Sequence, residues 1–237
     1  MSLHAEAVSP KLLATLRSLA EDACLRDFFL VGGTSLALRF GHRVSVDIDM
    51  FTAKAFDAAL LAEHLRARLG MEGISVTKNS VTGSIHDIKT DFIAHQYPLL
   101  SLFERIDGIP LASLPDVAAM KLNAITNRGS KKDFRDYVLM LEVYPHGEML
   151  EFFRQKYAPL NLWHVEKSLC YFDDAELEPD LQELADVSWE DVKAKIRSVS
   201  RQQTERVVYD AAWVSSACLS NSSATGAGYW PVKHPVQ

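Results

Sequence analysis

The sequence predicts an α+β protein, with short strands alternating with helices in a first half and a second half that is helical almost throughout. Three observations carry this. Apolar residues recur at helical spacing from Pro10 to Arg26, strict alternation runs from Val44 to Phe51, and helical periodicity from Ser113 to about Arg201 is interrupted by Pro145, Pro159 and Pro179. With 237 residues, 48% of them apolar and 24% charged, the chain can bury a core of ordinary size and is neither disordered nor collagen-like.

Taken in order, Leu12, Leu13, Leu16, Leu19, Ala20 and Ala23 line one face of an opening helix with Ser9 as N-cap and Pro10 in its first turn. Phe28 to Val31 is a short β-rich run stopped by a Gly32-Gly33 turn, and Thr34 to Phe40 is a short helix ended by Gly41. The next strand places Val44, Val46, Ile48 and Met50 on one face and Ser45, Asp47, Asp49 and Phe51 on the other. A helix follows over Phe56 to Leu69, then strands at Ile74 to Lys78, Ser84 to Ile88 and Thr90 to Ala94, which complete a small mixed sheet. Helices are expected at Pro115 to Thr126, Ser130 to Tyr144, Gly147 to Tyr157, Leu162 to Phe172 and Trp189 to Val199. The reading divides the chain into an α/β core at 1–112, a helical lobe at 113–200 and a flexible or peripheral tail at 201–237.

The formal charge of -6 excludes a general polyanion coat, so a polyanionic partner needs a local patch. Lys121 to Arg135 contains five basic residues, whereas Asp173 to Asp191 contains nine acidic residues and no Lys or Arg. Cys24, Cys170 and Cys218 are far apart and outside any CxxC pattern, as expected of reduced thiols in a cytoplasmic protein. No apolar run approaches the roughly 20 residues that span a bilayer, and the N-terminus lacks a signal-peptide pattern.

Asp47 and Asp49, two apart on a strand, leave the same face with Cβ atoms roughly 6 to 7 Å apart, a spacing that lets two carboxylates share hard divalent cations. Asp91 completes a three-carboxylate site for two Mg²⁺ ions if its strand pairs beside theirs. Gly32, Gly33, Thr34 and Ser35 follow a strand and open a helix, offering free N–H groups and two hydroxyls to a phosphate. Against this stand plainer readings: a simple Gly-Gly turn, a solvated carboxylate pair balanced by Arg39, His42 and Arg43, and a Lys132–Asp136 pair at i, i+4 worth a few tenths of a kcal/mol. The scattered histidines lack metal-ligand spacing, no GxSxG is present, and GGTS lacks the P-loop lysine.

The run VGGTSLALRFGHRVSVDIDMF resembles the hG[GS]…DhDh signature of the DNA polymerase β-type nucleotidyltransferase superfamily, with 13 residues, Thr34 to Val46, between the last glycine and the first aspartate. The stretch LASLPDVAAMKLNAITNRGSKKDFRDYVLML is similar to the AbiEii/AbiGii toxin family of nucleotidyltransferases, in which a lysine-bearing helix precedes an arginine, a basic-Asp step and a D-x-x-D helix. The resemblance covers residues 10–200 and maps the lysine to Lys121, the following basic residues to Arg128 and Lys132, and the acids to Asp133 and Asp136.

This resemblance implies a nucleotidyltransferase fold and Mg²⁺-dependent transfer of a nucleoside monophosphate from an NTP to an acceptor hydroxyl, with RNA such as tRNA as acceptor. It implies a toxin of a type IV toxin-antitoxin or abortive-infection system, with a cognate antitoxin encoded nearby. Asp47 and Asp49 would bridge both metals and Asp91 would bind one; Gly32 to Ser35 would hold the triphosphate, with Arg128, Lys132 and Asp136 also in the nucleotide site. Lys121 would neutralise phosphate charge, and Asp133 would position it or act near the acceptor, a role for which the sequence does not separate Asp133 from Asp136. Two alternatives share the fold: a nucleotide-binding regulatory module without turnover, and a small-molecule nucleotidyltransferase.

Overall fold

A computed structural model describes residues 2–158, 161–179 and 187–202. By its contacts the chain divides into Met1–Ser200 and Arg201–Gln237, and the fold set out below is that of the first unit. The expected tail at 201–237, Cys218 and part of the acidic segment lie outside the described residues, apart from 201–202 and the acidic segment's two ends.

Helix α1 (Pro10–Glu21) starts as expected, with the Ser9 hydroxyl accepting from the Leu12 N–H at 3.1 Å. It stops five residues short of Arg26, because Asp22 turns extended and caps a 3-10 turn at Ala23–Leu25 instead. Strand β1 (Phe29–Leu30) leads directly into α2 (Gly32–Phe40), so the two glycines form the helix's first turn rather than a separate loop. Strand β2 covers Ile48–Thr52, α3 Ala58–Leu69, and the meander β3 (Glu72–Val76), β4 (Ser80–Ile85) and β5 (Ile88–Ala94) follows.

The expected strand from Val44 is shortened to begin at Ile48. Backbone groups of the lead-in bond elsewhere: Ser45 N–H donates to Ala7 O at 2.9 Å, and Asp47 O accepts the Thr34 hydroxyl. Val46, expected on the apolar face, is 67% exposed. A hairpin absent from the sequence reading, β6 (Glu104–Ile106) and β7 (Ile109–Leu111), turns at Asp107-Gly108 with φ of 49° and 82°.

The seven strands form one mixed sheet in the order β3-β4-β5-β2-β1-β7-β6, with β2/β5 and β1/β7 parallel and the other neighbours antiparallel. Helices α4 (Leu114–Asn127), α5 (Lys131–Met140), α6 (His146–Lys156), α7 (Leu162–Leu169) and the short α8 (Asp173–Glu176) follow, and a further helix begins at residue 189. The sheet's two faces feed two cores. Leu30, Ile48, Met50 and Phe92 pack with α1 and α3, whereas Phe29, Val31 and Phe51 pack with α4 to α7. The centre of that second face is where the polar residues gather.

Candidate active site

Between the second sheet face, the start of α2 and helix α4 lies a cavity of about 720 Å³, within the roughly 300–1,000 Å³ typical of small-molecule sites. Gly32, Gly33, Thr34, Asp47, Asp49, Asp91, Lys121, Arg128 and Lys132 line it; Ser35, Asp133 and Asp136 do not.

Parallel pairing sets Asp49 directly beside Asp91. In-register residues of neighbouring strands share a face, and strands lie about 4.8 Å apart, so the two carboxylates are neighbours. Asp47 sits two residues ahead, in the lead-in to β2. Burial pushes the Asp49 carboxyl pKa up, and repulsion from Asp91 and Asp47 adds to this against the pull of Lys121. Asp91 presents one oxygen to Lys89 Nζ at 3.1 Å, while its other oxygen is buried with no partner among the described residues. Like charges packed together with an unsatisfied carboxylate oxygen are a donor set that suits a hard divalent cation. Lys89 offers a partial counter-charge from an exposed side chain.

Close approach explains the glycine pair. Gly32 has φ +69°, and a Cβ there would lie 2.7 Å from Asp49 Oδ2; a Cβ on Gly33 would lie 1.9 Å from Arg43 Nη2. No side chain caps the helix they open, so the first N–H groups of α2 face the carboxylate end of the cavity with the positive end of the helix dipole. The hydroxyls are placed differently from the sequence expectation. Thr34 Oγ1 donates to Asp47 O and lies 2.8 Å from Ser45 Oγ, holding the Asp47 segment in place. Ser35 is fully buried outside the cavity, its hydroxyl without a partner among the described residues.

Opposite the carboxylates lies a buried ionic cluster. Asp136 accepts from Arg43 Nε at 2.8 Å and Nη2 at 2.9 Å, from His42 Nε2 at 2.8 Å, and pairs with Lys121 Nζ at 2.6 Å. Asp133 accepts from Lys121 Nζ at 3.1 Å and from Arg128 Nε at 2.7 Å and Nη2 at 3.0 Å. Burial alone would raise both acids, but the cations outweigh it: Asp133 is held below the usual carboxylate range and Asp136 well below it. Burial alone would likewise lower Lys121, yet the two aspartates hold its pKa up, so it stays charged. The sequence left Asp133 and Asp136 undivided; the structure divides them, Asp133 orienting Lys121 and Arg128, Asp136 orienting Lys121 and Arg43.

His42 and Arg43, considered as partners for the Asp47–Asp49 pair, therefore serve Asp136, and Arg39 pairs with Glu104 and Ala112 O. Lys132 faces the cavity rather than forming the i, i+4 pair, since the Asp136 contacts run to Lys121, Arg43 and His42. The basic run splits further: Lys131 Nζ donates to Glu178 O at 2.8 Å and Arg135 Nη1 to Val187 O at 2.8 Å, so these two meet the acidic segment.

Residues 14–213 match the family described as Nucleotidyl transferase AbiEii toxin, Type IV TA system. The chain belongs to this AbiEii nucleotidyltransferase family. An uncharacterized protein of Aquifex aeolicus (strain VF5), aq_aa25, is 35% identical over 175 residues, covering 70% of this chain and 83% of its own. Two solved Helicobacter pylori structures share the fold. JHP933 aligns with TM-score 0.52 and 17% identity over 87% of this chain and 94% of its own; a candidate nucleotidyltransferase aligns with TM-score 0.54 and 18% identity over 84% and 94%. Among the described residues no helix of this AbiEii chain is long and apolar enough to cross a membrane.

Lys89, His95 and Tyr157 are among the cavity residues that sequence reasoning did not assign to the site. Lys89 carried a readable signal, lying two residues before Asp91 on the same strand face. Tyr157 carried none, since it arrives from the end of α6, 62 residues after its partner His95.

Proposed function

We propose that this AbiEii chain transfers a nucleoside monophosphate from an NTP to an acceptor hydroxyl on RNA such as tRNA, and that a cognate antitoxin restrains it. The observation that carries this reading is the in-register Asp49–Asp91 pair with its unpartnered carboxylate oxygen, facing an uncapped helix start across one cavity. Asp47, Asp49 and Asp91 would hold two Mg²⁺ ions, with Asp91 on only one of them. When bound, these ions would lower the pKa of the acceptor hydroxyl and neutralise charge on the phosphates.

The chain's own residues supply the rest. The N–H groups of Gly32, Gly33 and Thr34 bind phosphate oxygens, and Thr34 fixes the Asp47 segment through its hydroxyl. Lys121, kept cationic and immobile by Asp133 and Asp136, faces the transferring phosphate and stabilises charge that builds there. In the step itself the acceptor hydroxyl gives up its proton to water, a bond forms between the acceptor oxygen and the α-phosphorus, the bond to the β-phosphate oxygen breaks, and pyrophosphate leaves. Arg128, its side chain 56% exposed, and Lys132 supply positive charge at the cavity for an RNA backbone despite the net charge of -6.

The test is incubation with each α-labelled NTP, Mg²⁺ and total tRNA. Label should enter RNA with at least one nucleotide and be lost with Asp49→Ala; four NTPs without labelled RNA would refute the RNA-acceptor reading. Growth arrest on expression, relieved by Asp47→Ala, would support the toxin role.

A further inference from the structure

The cavity has a second, uncharged end that neither the carboxylates nor the cationic cluster uses. Two residues along β2 and β5 from the Asp49–Asp91 pair, Phe51 stands in register with Ile93. That step keeps the face and advances about 7 Å, the scale of the ribose between an α-phosphate and its base. His95 continues the line, its N–H donating to Thr52 O at 2.8 Å. Its ring lies 5.2 Å from Phe51 and 5.7 Å from Tyr157, with Nε2 3.0 Å from the Tyr157 hydroxyl, and Tyr97 backs it at 4.7 Å. Val117 and Met120 of α4 form the opposite wall.

This aromatic wall is held by a buried ion pair that has no part in the phosphate end. Lys156, 1% exposed, donates through Nζ to Asp116 Oδ1 at 2.7 Å and to Pro98 O at 2.9 Å. Asp116 in turn accepts from the N–H groups of Leu100 and Ser101, both at 3.2 Å. The strap after His95 is thereby tied to α4 and α6, and the rings are fixed before any ligand arrives. Burial, with Lys156 nearby, lowers the His95 pKa to about 4, so the ring is neutral at pH 7 and suits an uncharged planar partner better than a phosphate.

We propose that this end binds the nucleobase of the incoming NTP, stacked against Phe51 and His95, with Asp116 and Lys156 as positioning residues for the wall. The proposal rests on the nucleotidyltransferase reading above, and the test separates the two. Calorimetric titration of wild type, Phe51→Ala, His95→Ala and His95→Gln is carried out with each NTP and with inorganic tripolyphosphate, all with Ca²⁺ in place of Mg²⁺. Base stacking on an aromatic side chain predicts about tenfold weaker binding of the preferred NTP in each variant. Tripolyphosphate affinity should not change, and equal thermal melting of His95→Gln and wild type would show the fold intact.

Unchanged NTP affinity in all three variants overturns the proposal. If it is accompanied by a raised KM for the RNA acceptor, the wall belongs to the acceptor's base. Equal losses for NTP and tripolyphosphate also overturn it, because the effect would then not be on the base. Wild type that binds neither ligand overturns the nucleotidyltransferase reading itself.

Discussion

Replacing Gly33 with alanine should cost about 2–4 kcal/mol, and the structure says where that energy goes. Gly33 is not among the residues with positive φ, so alanine meets no backbone strain and in isolation would favour the helix by roughly 0.5–1 kcal/mol. The obstacle is Arg43. A Cβ at Gly33 would lie 1.9 Å from Nη2 and 3.1 Å from Cζ, and the guanidinium is pinned by two hydrogen bonds to a fully buried Asp136. Moving it breaks a buried bidentate pair, a loss of about 3–5 kcal/mol, less the helix gain. Urea denaturation of Gly33→Ala, Arg43→Ala and the double variant measures this as a coupling energy. In the Arg43→Ala background the glycine change should be neutral or slightly stabilising. An equal loss in both backgrounds would place the clash somewhere other than Arg43.

Three further outcomes follow from the same geometry. Asp136→Ala should destabilise by about 3–5 kcal/mol by urea titration, because it leaves Lys121 and Arg43 without their shared buried anion. Asp49→Asn relieves burial of a charge beside Asp91 and Asp47, so in EDTA it should raise stability by about 1 kcal/mol while abolishing transfer and the thermal shift caused by Mg²⁺. His95, lowered from 6.5 to about 4 by burial and Lys156, remains neutral when folded while its unfolded counterpart takes up a proton. Its contribution is therefore complete above pH 6.5 and is lost as pH falls towards 4, by less than about 1.4 kcal/mol per unit since the ring is partly exposed. His95→Gln should show a shallower loss of stability between pH 7 and 5.

Much of the site was legible because its parts are local. The glycine pair, the aspartates two apart and the Asp91 strand each announce themselves within ten residues, and their order pointed to one unit. What the alternation from Val44 to Asp47 concealed is that those residues bond to Ala7 and Thr34 rather than to a strand. Local pattern carries no record of such distant partners. The same limit applied to Arg43 and Asp136, 93 residues apart, and to the choice between Asp133 and Asp136, which the Lys121, Arg43 and Arg128 contacts alone decide. The hairpin at Asp107-Gly108 did carry a turn signal, masked by Pro110 in a strand of three residues.

Soaking crystals with Mn²⁺ and a non-transferable NTP analogue, and locating the metal by anomalous diffraction, shows where this chain holds metal and triphosphate. Two peaks about 3.5–4 Å apart are expected between Asp47 and Asp49, only one of them touching Asp91, with the triphosphate at the start of α2. Metal bound away from these carboxylates, or a nucleotide bound without any metal there, would contradict this arrangement.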